Sequence, residues 1–279
     1  SCTCLIILMN NKFQLLALFF TTLLLSCAPK QKDFEFYIVQ LNDVYEIAPI
    51  NNGKNGGFAR VAWLIDSLKV IGNPVYTVLA GDFLSPSFIG TIKSEELGER
   101  IYGMHVIETM NAAGVDLVTF GNHEFDIPEH SLHKRMNASS FNWTSANTKS
   151  ADKRSPFGKQ TRNGFEPVPD YVIQSLTSQT GQHLKLGILS VTLPFNKASY
   201  VKYEDPFESV KRVFPTVLNE SDITVFLTHL EASDDKKLAE LYPSVPLIMG
   251  GHDHSNMEIK TEFNKVTKAD ANAKSIYIH

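Results

Sequence analysis

The stretch Gly121-Asn122-His123-Glu124-Phe125-Asp126 decides what fold and chemistry this chain is expected to have. It directly follows the apolar run from Asp116 to Phe120, which predicts a short buried strand. Side chains that bind metals or transfer protons are therefore placed just beyond a strand end. A single histidine in such a place is more often structural than functional, so the other strand ends decide what this one means.

The same kind of side chain follows the other predicted strands. Loops at the carboxyl ends of strands in layered α/β proteins converge on one edge, so residues distant in sequence can meet there. The sequence therefore predicts an α/β domain with one site built from strand-end loops. Its candidate metal ligands are Asp43, Asp82, Asn122, His229, His252 and His254.

This ligand mixture suits two divalent cations. A pair of cations about 3.5–4 Å apart needs one bridging carboxylate and further nitrogen and oxygen ligands on each side. Asp82 is the expected bridge, and glycines precede several ligands, where tight turns are needed. Manganese, zinc, iron and cobalt all fit carboxylate, amide and imidazole ligands without thiolate, so the metal identity stays open.

The order of these motifs is similar to that of a known family. Gly81-Asp82, the string 121–126, Thr228-His229 and Gly250-Gly251-His252-Asp253-His254 resemble the signature of the calcineurin-like metallophosphoesterases. The long central string resembles the 5′-nucleotidase branch, which includes UDP-sugar hydrolases, and the similarity runs from about Phe34 to the end. The resemblance implies a four-layer α/β/β/α sandwich, here expected to lack its last strands.

The resemblance also implies roles. Asp43, Asp82 and His254 would hold one metal, and Asp82, Asn122, His229 and His252 the other. A hydroxide bridging the two metals would hydrolyse a phosphate ester, with a 5′-nucleotide or related nucleotide as the expected substrate. His123, oriented by Asp126, would stabilise the transferring phosphoryl charge or protonate the leaving oxygen. Glu124 is expected to be structural.

Two departures from the family pattern bear on function. Tyr45 stands where the family usually has a histidine, two residues after Asp43. It is either a weak ligand that shapes the site and favours a harder metal, or a packing residue. The second departure is length, because residues 28–279 are expected to form a C-terminally truncated catalytic domain without the C-terminal nucleotidase domain that holds the nucleoside.

Three functional hypotheses follow. The favoured one is a metal-dependent phosphoric ester hydrolase. The alternatives are a lipid-anchored pseudoenzyme or binding protein, and a hydrolase of a related ester such as a thiosulfate ester on the same scaffold. A net charge of −4 gives no general attraction to nucleic-acid backbones, so nucleic-acid binding is not expected. No oligomeric state is indicated.

The first 27 residues have the layout of a bacterial lipoprotein signal. Lys12 precedes a short apolar run, Phe13 to Leu25, which ends at Leu24-Leu25-Ser26-Cys27, a sequence that resembles a lipobox. Met9 would begin the signal, and residues 1–8 are interpreted as spurious upstream sequence. The alternative is a buried N-terminal helix with an incidental cysteine. The expected location is the bacterial cell envelope, lipid-anchored and facing the periplasm or the surface.

Periodicity predicts the remaining elements. Apolar residues at helical spacing predict helices from Phe58 to Leu68, from Glu96 to Ala113 with Gly114 as its C-cap, and from Pro206 to Leu218. The polar, basic segment Lys149 to Asp170 predicts a solvated surface loop, with a phosphate-contacting patch as the weaker alternative. Strands are expected around these helices at 34–41, 75–79, 116–120, 143–146, 184–191, 223–227 and 246–249.

Lipidation at Cys27 is directly testable. Cys27→Ser should move the protein from the membrane fraction to the soluble fraction, because the lipid attached to this thiol would be its membrane anchor. Fractionation with immunoblotting, and labelling with a fatty-acid analogue, measure the effect. Wild-type protein that is not labelled, or a variant that stays with membranes, would contradict the lipobox interpretation.

Overall fold

The described part of the chain, in a computed structural model, is residues 33–196 and 198–279. The predicted signal segment 1–27, with Cys27, lies outside the described residues. Within the described ranges, no helix combines the length and apolar composition that a membrane span needs. Residues 35–279 form one compact unit.

The first sheet is built largely from parallel strands near the start of the chain. These are β1 (Tyr37–Leu41), β2 (Val75–Ala80), β3 (Leu117–Thr119) and β4 (Asn142–Thr144). They pair in that order and are parallel throughout.

The second sheet comprises β5 (Tyr171–Thr177), β6 (His183–Thr192), β7 (Ile223–His229), β8 (Leu247–Gly250), β9 (Met257–Lys260) and β10 (Lys265–Lys268). Its strand order is β5-β6-β7-β8-β10-β9, with a parallel centre and antiparallel edge pairs. A last strand, β11 (Tyr277–Ile278), pairs antiparallel with β1 in the first sheet. The α/β fold class predicted from the sequence is confirmed.

The helices bury one face each against the sheets. They are α1 (Phe58–Ile71), α2 (Met104–Ala113), α3 (Glu129–Ala138), α4 (Pro206–Glu220) and α5 (Ala232–Leu241). In α1 the buried side chains Phe58, Val61, Ile65 and Leu68 recur every three or four residues, which is the apolar stripe of a helix packed on one side. The first three helices share a core with β1 to β4, and the last two contribute to a second core with β6 to β8.

Buried polar residues connect the two sheets. The Gln40 amide nitrogen on β1 donates to the carbonyl oxygens of Gly250 and Thr267 at 3.2 and 2.8 Å. The Thr192 hydroxyl on β6 donates to the Phe120 carbonyl oxygen just beyond β3 at 2.5 Å. Because these bonds are buried and directional, they fix the carboxyl ends of both sets of strands relative to each other.

Two predictions about local structure are wrong. The helix predicted from Glu96 begins at Met104, since Tyr102 and Gly103 have positive φ (40° and 79°) and interrupt the helical backbone. The predicted C-cap at Gly114 is confirmed, with φ 77° and ψ 42°. Upstream, Lys93–Ser94 and Glu99–Arg100 form a two-stranded ladder instead.

The second wrong prediction is that of a solvated surface loop at 149–170. This segment contains a hairpin of Gly158–Thr161 and Gly164–Pro167, and the strand Thr148–Ser150 at its start pairs with Val201–Tyr203. Some of its charges also pair with each other, because the Lys149 ammonium contacts an Asp170 carboxylate oxygen at 2.6 Å. Polar composition concealed the hairpin, whose short strands lack apolar alternation, and the pairing with Val201–Tyr203 joins segments that are distant in sequence.

A buried arginine holds the ladder before α2 in place. The Arg135 side chain on α3 is fully buried, and its guanidinium donates to Glu99 at 2.9 Å and to the carbonyl oxygens of Arg100, Ile101 and Tyr102 at 2.7–3.2 Å. All three guanidinium nitrogens therefore meet a backbone or carboxylate acceptor.

Arg135→Met should lower the free energy of unfolding by about 3–5 kcal/mol, because it removes the buried cation beside Glu99 and leaves three carbonyl groups without their donor. Urea titration followed by circular dichroism measures the change. Lys211→Met is the matched control, since the Lys211–Glu208 pair is exposed and its loss should not be measurable. Equal stability of both variants would refute the role assigned to Arg135.

Candidate metal centre

The six predicted ligands lie where strands end. Asp43 and Asp82 each come two residues after β1 and β2, Asn122 follows β3, His229 is the last residue of β7, and the two remaining histidines follow β8. Four of the six have positive φ, with values of 53° for Asp43, 60° for Asp82, 82° for His252 and 59° for His254. Left-handed backbone is uncommon outside glycine, although Asp and His adopt it more readily than most residues, and such conformations concentrate at functional sites.

Two glycines make the close approach of these loops feasible. A Cβ on Gly81, whose φ is +76°, would lie 2.5 Å from the backbone nitrogen of Gly121 and 2.7 Å from Nδ1 of His229. A Cβ on Gly121 would overlap the Asp82 carboxylate. The loops after β2, β3 and β7 can therefore meet only because neither position carries a side chain.

The first half of the centre is a tight cluster of Asp43, Asp82 and His254. One ligand atom from each residue lies within 4.8 Å of the other two. Nε2 of His254 is 3.2 Å from Oδ1 of Asp43, while Oδ2 of Asp43 accepts hydrogen bonds from the Asn42 amide and the His252 backbone. Asp43 therefore has one oxygen committed to the protein and the other directed at the cluster.

The second half is organised around His229. Nε2 of this buried ring is 3.2 Å from Oδ2 of Asp82 and 3.2 Å from Oδ1 of Asn122. The His252 ring lies beside it, with ring centroids 5.4 Å apart. Oδ2 of Asp82 thus belongs to both halves, as a bridging carboxylate must.

Hydrogen bonds orient His229 for coordination through one nitrogen. Its Nδ1 lies 2.7 Å from the Ala80 carbonyl oxygen, which can only accept, so Nδ1 carries the proton and Nε2 faces the ligands. Burial opposes the charged ring, but the Asp82 and Asp43 carboxylates outweigh it and raise the pKa of His229 to about 10. A cation binding at Nε2 would displace the proton held there.

The donor set fits divalent cations. Two nearly inaccessible carboxylates, Asp43 and Asp82, lie together with a third, that of Glu124, and such a concentration of buried negative charge needs positive charge beside it. The ligands are oxygens and imidazole nitrogens, which exclude a thiolate-type site. The structure therefore brings all six predicted ligands into one cluster, and their role as ligands stays a prediction.

His123 and Asp126 form the pair expected next to the metals. Nδ1 of His123 is 2.6 Å from Oδ2 of Asp126, and both side chains are about one third exposed. A carboxylate can only accept, so Nδ1 donates and Nε2 is the nitrogen left to meet a substrate. The His123 backbone N–H donates to Oδ1 of Asp82 at 2.7 Å, which fixes the pair relative to the cluster.

Asp126 is itself held in place from two sides. The Asn196 amide nitrogen donates to its Oδ1 at 2.7 Å, and the Ser85 hydroxyl donates to its Oδ2 at 3.4 Å. Asn196 was not among the residues singled out in the sequence, because nothing in its local pattern points to the distant string 121–126.

Glu124 organises the backbone beneath the ligands. Its fully buried carboxylate accepts from the N–H groups of Asp82 at 2.8 Å, Phe83 at 2.8 Å, Leu84 at 3.2 Å and Gly121 at 2.5 Å. Burial and the Asp82 charge raise the pKa of Glu124 to about 7, against the opposing effect of these N–H donors. The sequence interpretation of Glu124 as structural agrees with these contacts, although its tie to the Asp82 turn could not be read locally.

Comparisons with known proteins assign the family. Residues 36–256 match the calcineurin-like phosphoesterases. The chain belongs to that family.

Several relatives share the fold or the sequence. A snake venom 5′-nucleotidase from Gloydius brevicauda is 28% identical over 236 residues, 78% of this chain and 37% of that protein. The 5′-nucleotidase precursor from Thermus thermophilus superposes with a TM-score of 0.65 at 22% identity, covering 86% of this chain and 49% of the other. The sulfate thiohydrolase SoxB from the same genus gives 0.68 at 14% identity, covering 88% and 53%. The chain spans about two fifths of the length of the curated relatives it matches.

Glu124→Gln tests the support beneath the ligands. The amide NH₂ would face backbone N–H donors, so we expect a loss of about 1–3 kcal/mol in the free energy of unfolding. Manganese affinity should fall on the order of 10–100-fold, as for other groups that orient ligands. Calorimetric titration with Mn²⁺ measures the affinity, and Glu108→Gln, at an exposed position of α2, is the control. Unchanged Mn²⁺ affinity in Glu124→Gln would contradict the role.

Proposed function

We propose that this chain carries the catalytic domain of a hydrolase that cleaves phosphate esters of nucleotides with the aid of two divalent cations. The observation that carries the proposal is the position of Oδ2 of Asp82. It lies 3.2 Å from Nε2 of His229 on one side and 3.2 Å from the Tyr45 hydroxyl, within the cluster of Asp43 and His254, on the other. One carboxylate oxygen between two ligand groups is the arrangement that a two-metal site requires.

The ligands divide between two positions. Asp43, Asp82 and His254 would hold one cation, and Asp82, Asn122, His229 and His252 the other. When bound, the cations would lower the pKa of a water molecule and neutralise charge on the phosphoryl oxygens, which makes ester hydrolysis feasible near neutral pH. The cluster of Asp43 and Asp82 also gives the site a negative potential of its own, so an anionic substrate would bind poorly without cations.

His123 would supply a proton donor, which the carboxylates of the cluster cannot. Its Nδ1–H is committed to Asp126, so the ring is held in one tautomer with Nε2 available to the substrate. A protonated ring there would donate a hydrogen bond to a phosphoryl oxygen or give its proton to the leaving oxygen. The carboxylate of Asp126 would stabilise the imidazolium in either role.

Nucleotides are the substrate class that the relatives favour. The curated relatives include 5′-nucleotidases and a 2′,3′-cyclic-nucleotide 2′-phosphodiesterase/3′-nucleotidase, 26–28% identical to this chain. An envelope location through a lipid on Cys27 remains part of the proposal and agrees with the resemblance to periplasmic enzymes. Six of the seven ligands that the family pattern implies are present, together with the His123–Asp126 pair, which argues against a binding protein that has lost turnover.

His123→Ala separates chemistry from metal binding. With Mn²⁺ bound, we expect kcat for nucleotide hydrolysis to fall by roughly two to four orders of magnitude, because the acid or charge stabiliser is lost. Metal content, measured by mass spectrometry, should be unchanged. If His123 protonates the leaving oxygen, the loss should be smaller for nitrophenyl esters, whose leaving group needs no proton.

Asp82→Ala is the contrasting variant. Loss of the bridging carboxylate should remove at least one cation, so its activity should follow metal content, whereas that of His123→Ala should not. His183→Ala, at the exposed start of β6, is the control for loss of a histidine. If kcat of His123→Ala is unchanged on every phosphoester tested, with metals present, His123 has no catalytic role, and the binding-protein alternative is favoured.

A further inference from the structure

The Tyr45 hydroxyl lies among the candidate ligands of one cation. Its oxygen is 3.3 Å from Oδ1 of Asp43, 3.2 Å from Oδ2 of Asp82 and 3.1 Å from Nε2 of His254. The phenol is almost completely buried, with 7% of its surface exposed. A residue present only for packing would not need to direct its one polar atom at three metal-binding groups.

The distances have the size expected within a coordination shell. Ligand atoms about 2.0–2.1 Å from one ion at tetrahedral angles lie roughly 3.3–3.4 Å apart, and closer at octahedral angles. The Tyr45 oxygen lies at 3.1–3.3 Å from its three neighbours, and two of those neighbours, on Asp43 and His254, are 3.2 Å from each other. The hydroxyl therefore lies at ligand-to-ligand distance from one atom of each of the three residues, as a fourth ligand would.

The backbone holds Tyr45 in this position. The Asn272 side-chain oxygen accepts from the backbone N–H groups of Tyr45 at 2.9 Å and Glu46 at 3.1 Å, and the Asn272 backbone N–H donates to the Asp43 carbonyl at 2.8 Å. The ring also makes edge contacts with His254 and His123, with centroids 5.6 and 6.3 Å away. A ring fixed at both ends brings its oxygen to the cluster at little further entropic cost.

We propose that the phenolic oxygen of Tyr45 is the fourth protein ligand of the cation held by Asp43, Asp82 and His254. This rests on the proposed two-metal site. The first position then has three oxygen ligands and one nitrogen, whereas the second has two imidazoles. Oxygen ligands suit harder cations and imidazole suits zinc, so the two positions should differ in metal preference, with the harder cation beside Tyr45.

Tyr45→Phe keeps the ring and removes only the oxygen. We expect the Mn²⁺ affinity of the position beside Tyr45 to fall at least about tenfold. This affinity is the weaker of the two that are measured, or the one that metal competition assigns to this position. Tyr45→His should lower the ratio of Mn²⁺ to Zn²⁺ retained from an equimolar mixture. Tyr76→Phe is the matched control, since that buried phenol has no hydrogen-bond partner among the described residues and lies on β2 outside the cluster.

A spectroscopic readout separates ligation from mere support of the ligands. Wild-type protein loaded with Fe³⁺ should absorb visible light through charge transfer from the Tyr45 oxygen to the ion, since the phenol would release its proton to solvent when it binds. The band should vanish in both Tyr45 variants and persist in Tyr76→Phe. A supporting hydrogen bond alone would weaken metal binding in Tyr45→Phe without any such band in the wild type, and that result would overturn the proposal, as would unchanged Mn²⁺ affinity.

The outcomes also distinguish this proposal from the proposed function. Wild-type protein that hydrolyses phosphate esters but shows no band refutes the Tyr45 assignment and leaves the hydrolase standing. A band in the wild type together with an affinity loss in Tyr45→Phe, but no hydrolysis of any phosphate ester by the wild type, supports the Tyr45 assignment and refutes the proposed reaction.

Discussion

The buried carboxylate of Asp82 is the group on which the rest of the site depends. It is 1% exposed, one of its oxygens receives the His123 N–H, and the other faces His229 and Tyr45. Asp43 and Glu124 add two more buried carboxylates nearby, so like charges accumulate in a region of low dielectric. Such a cluster is stable only where positive charge joins it, and the candidate ligands meet it at the strand ends of both sheets.

Holding ligands so close together imposes a cost on the backbone. Several ligands adopt left-handed conformations, and the loops touch through glycines that exclude any side chain. The Glu124 carboxylate offsets part of this cost, because it collects four N–H groups from two turns that have no strand partner. The left-handed backbone and the buried Glu124 carboxylate thus act together to hold Asp82 in place.

How much the sequence could predict follows from the range of each interaction. The candidate ligands and His123 could be singled out because each stands at the end of a strand or within a few residues of it, which is local information. The start of α2 was mispredicted because Tyr102 and Gly103 interrupt the helix through backbone conformation. The hairpin within 149–170 was missed because its two strands are short and mostly polar, without the alternation of apolar residues that indicates a half-buried strand. The contacts of Tyr45 depend on Asn272, which is more than two hundred residues away. The sequence could therefore show that Tyr45 stands two residues after Asp43, but not whether its side chain binds a metal or only packs.

Lys268 places a buried positive charge behind the candidate metal centre. Its ammonium is fully buried at the end of β10 and donates to the carbonyl oxygens of Leu230 and Gly251 at 2.5 and 2.8 Å. It also contacts carboxylate oxygens of Asp253 at 2.5 Å and Asp235 at 2.8 Å. These carbonyls belong to the residues after His229 and before His252, so one permanent cation draws together the two loops that carry the imidazoles. A buried lysine thus supplies positive charge behind the candidate ligands, whereas the proposed cations would supply it in front, where a substrate would have to reach it.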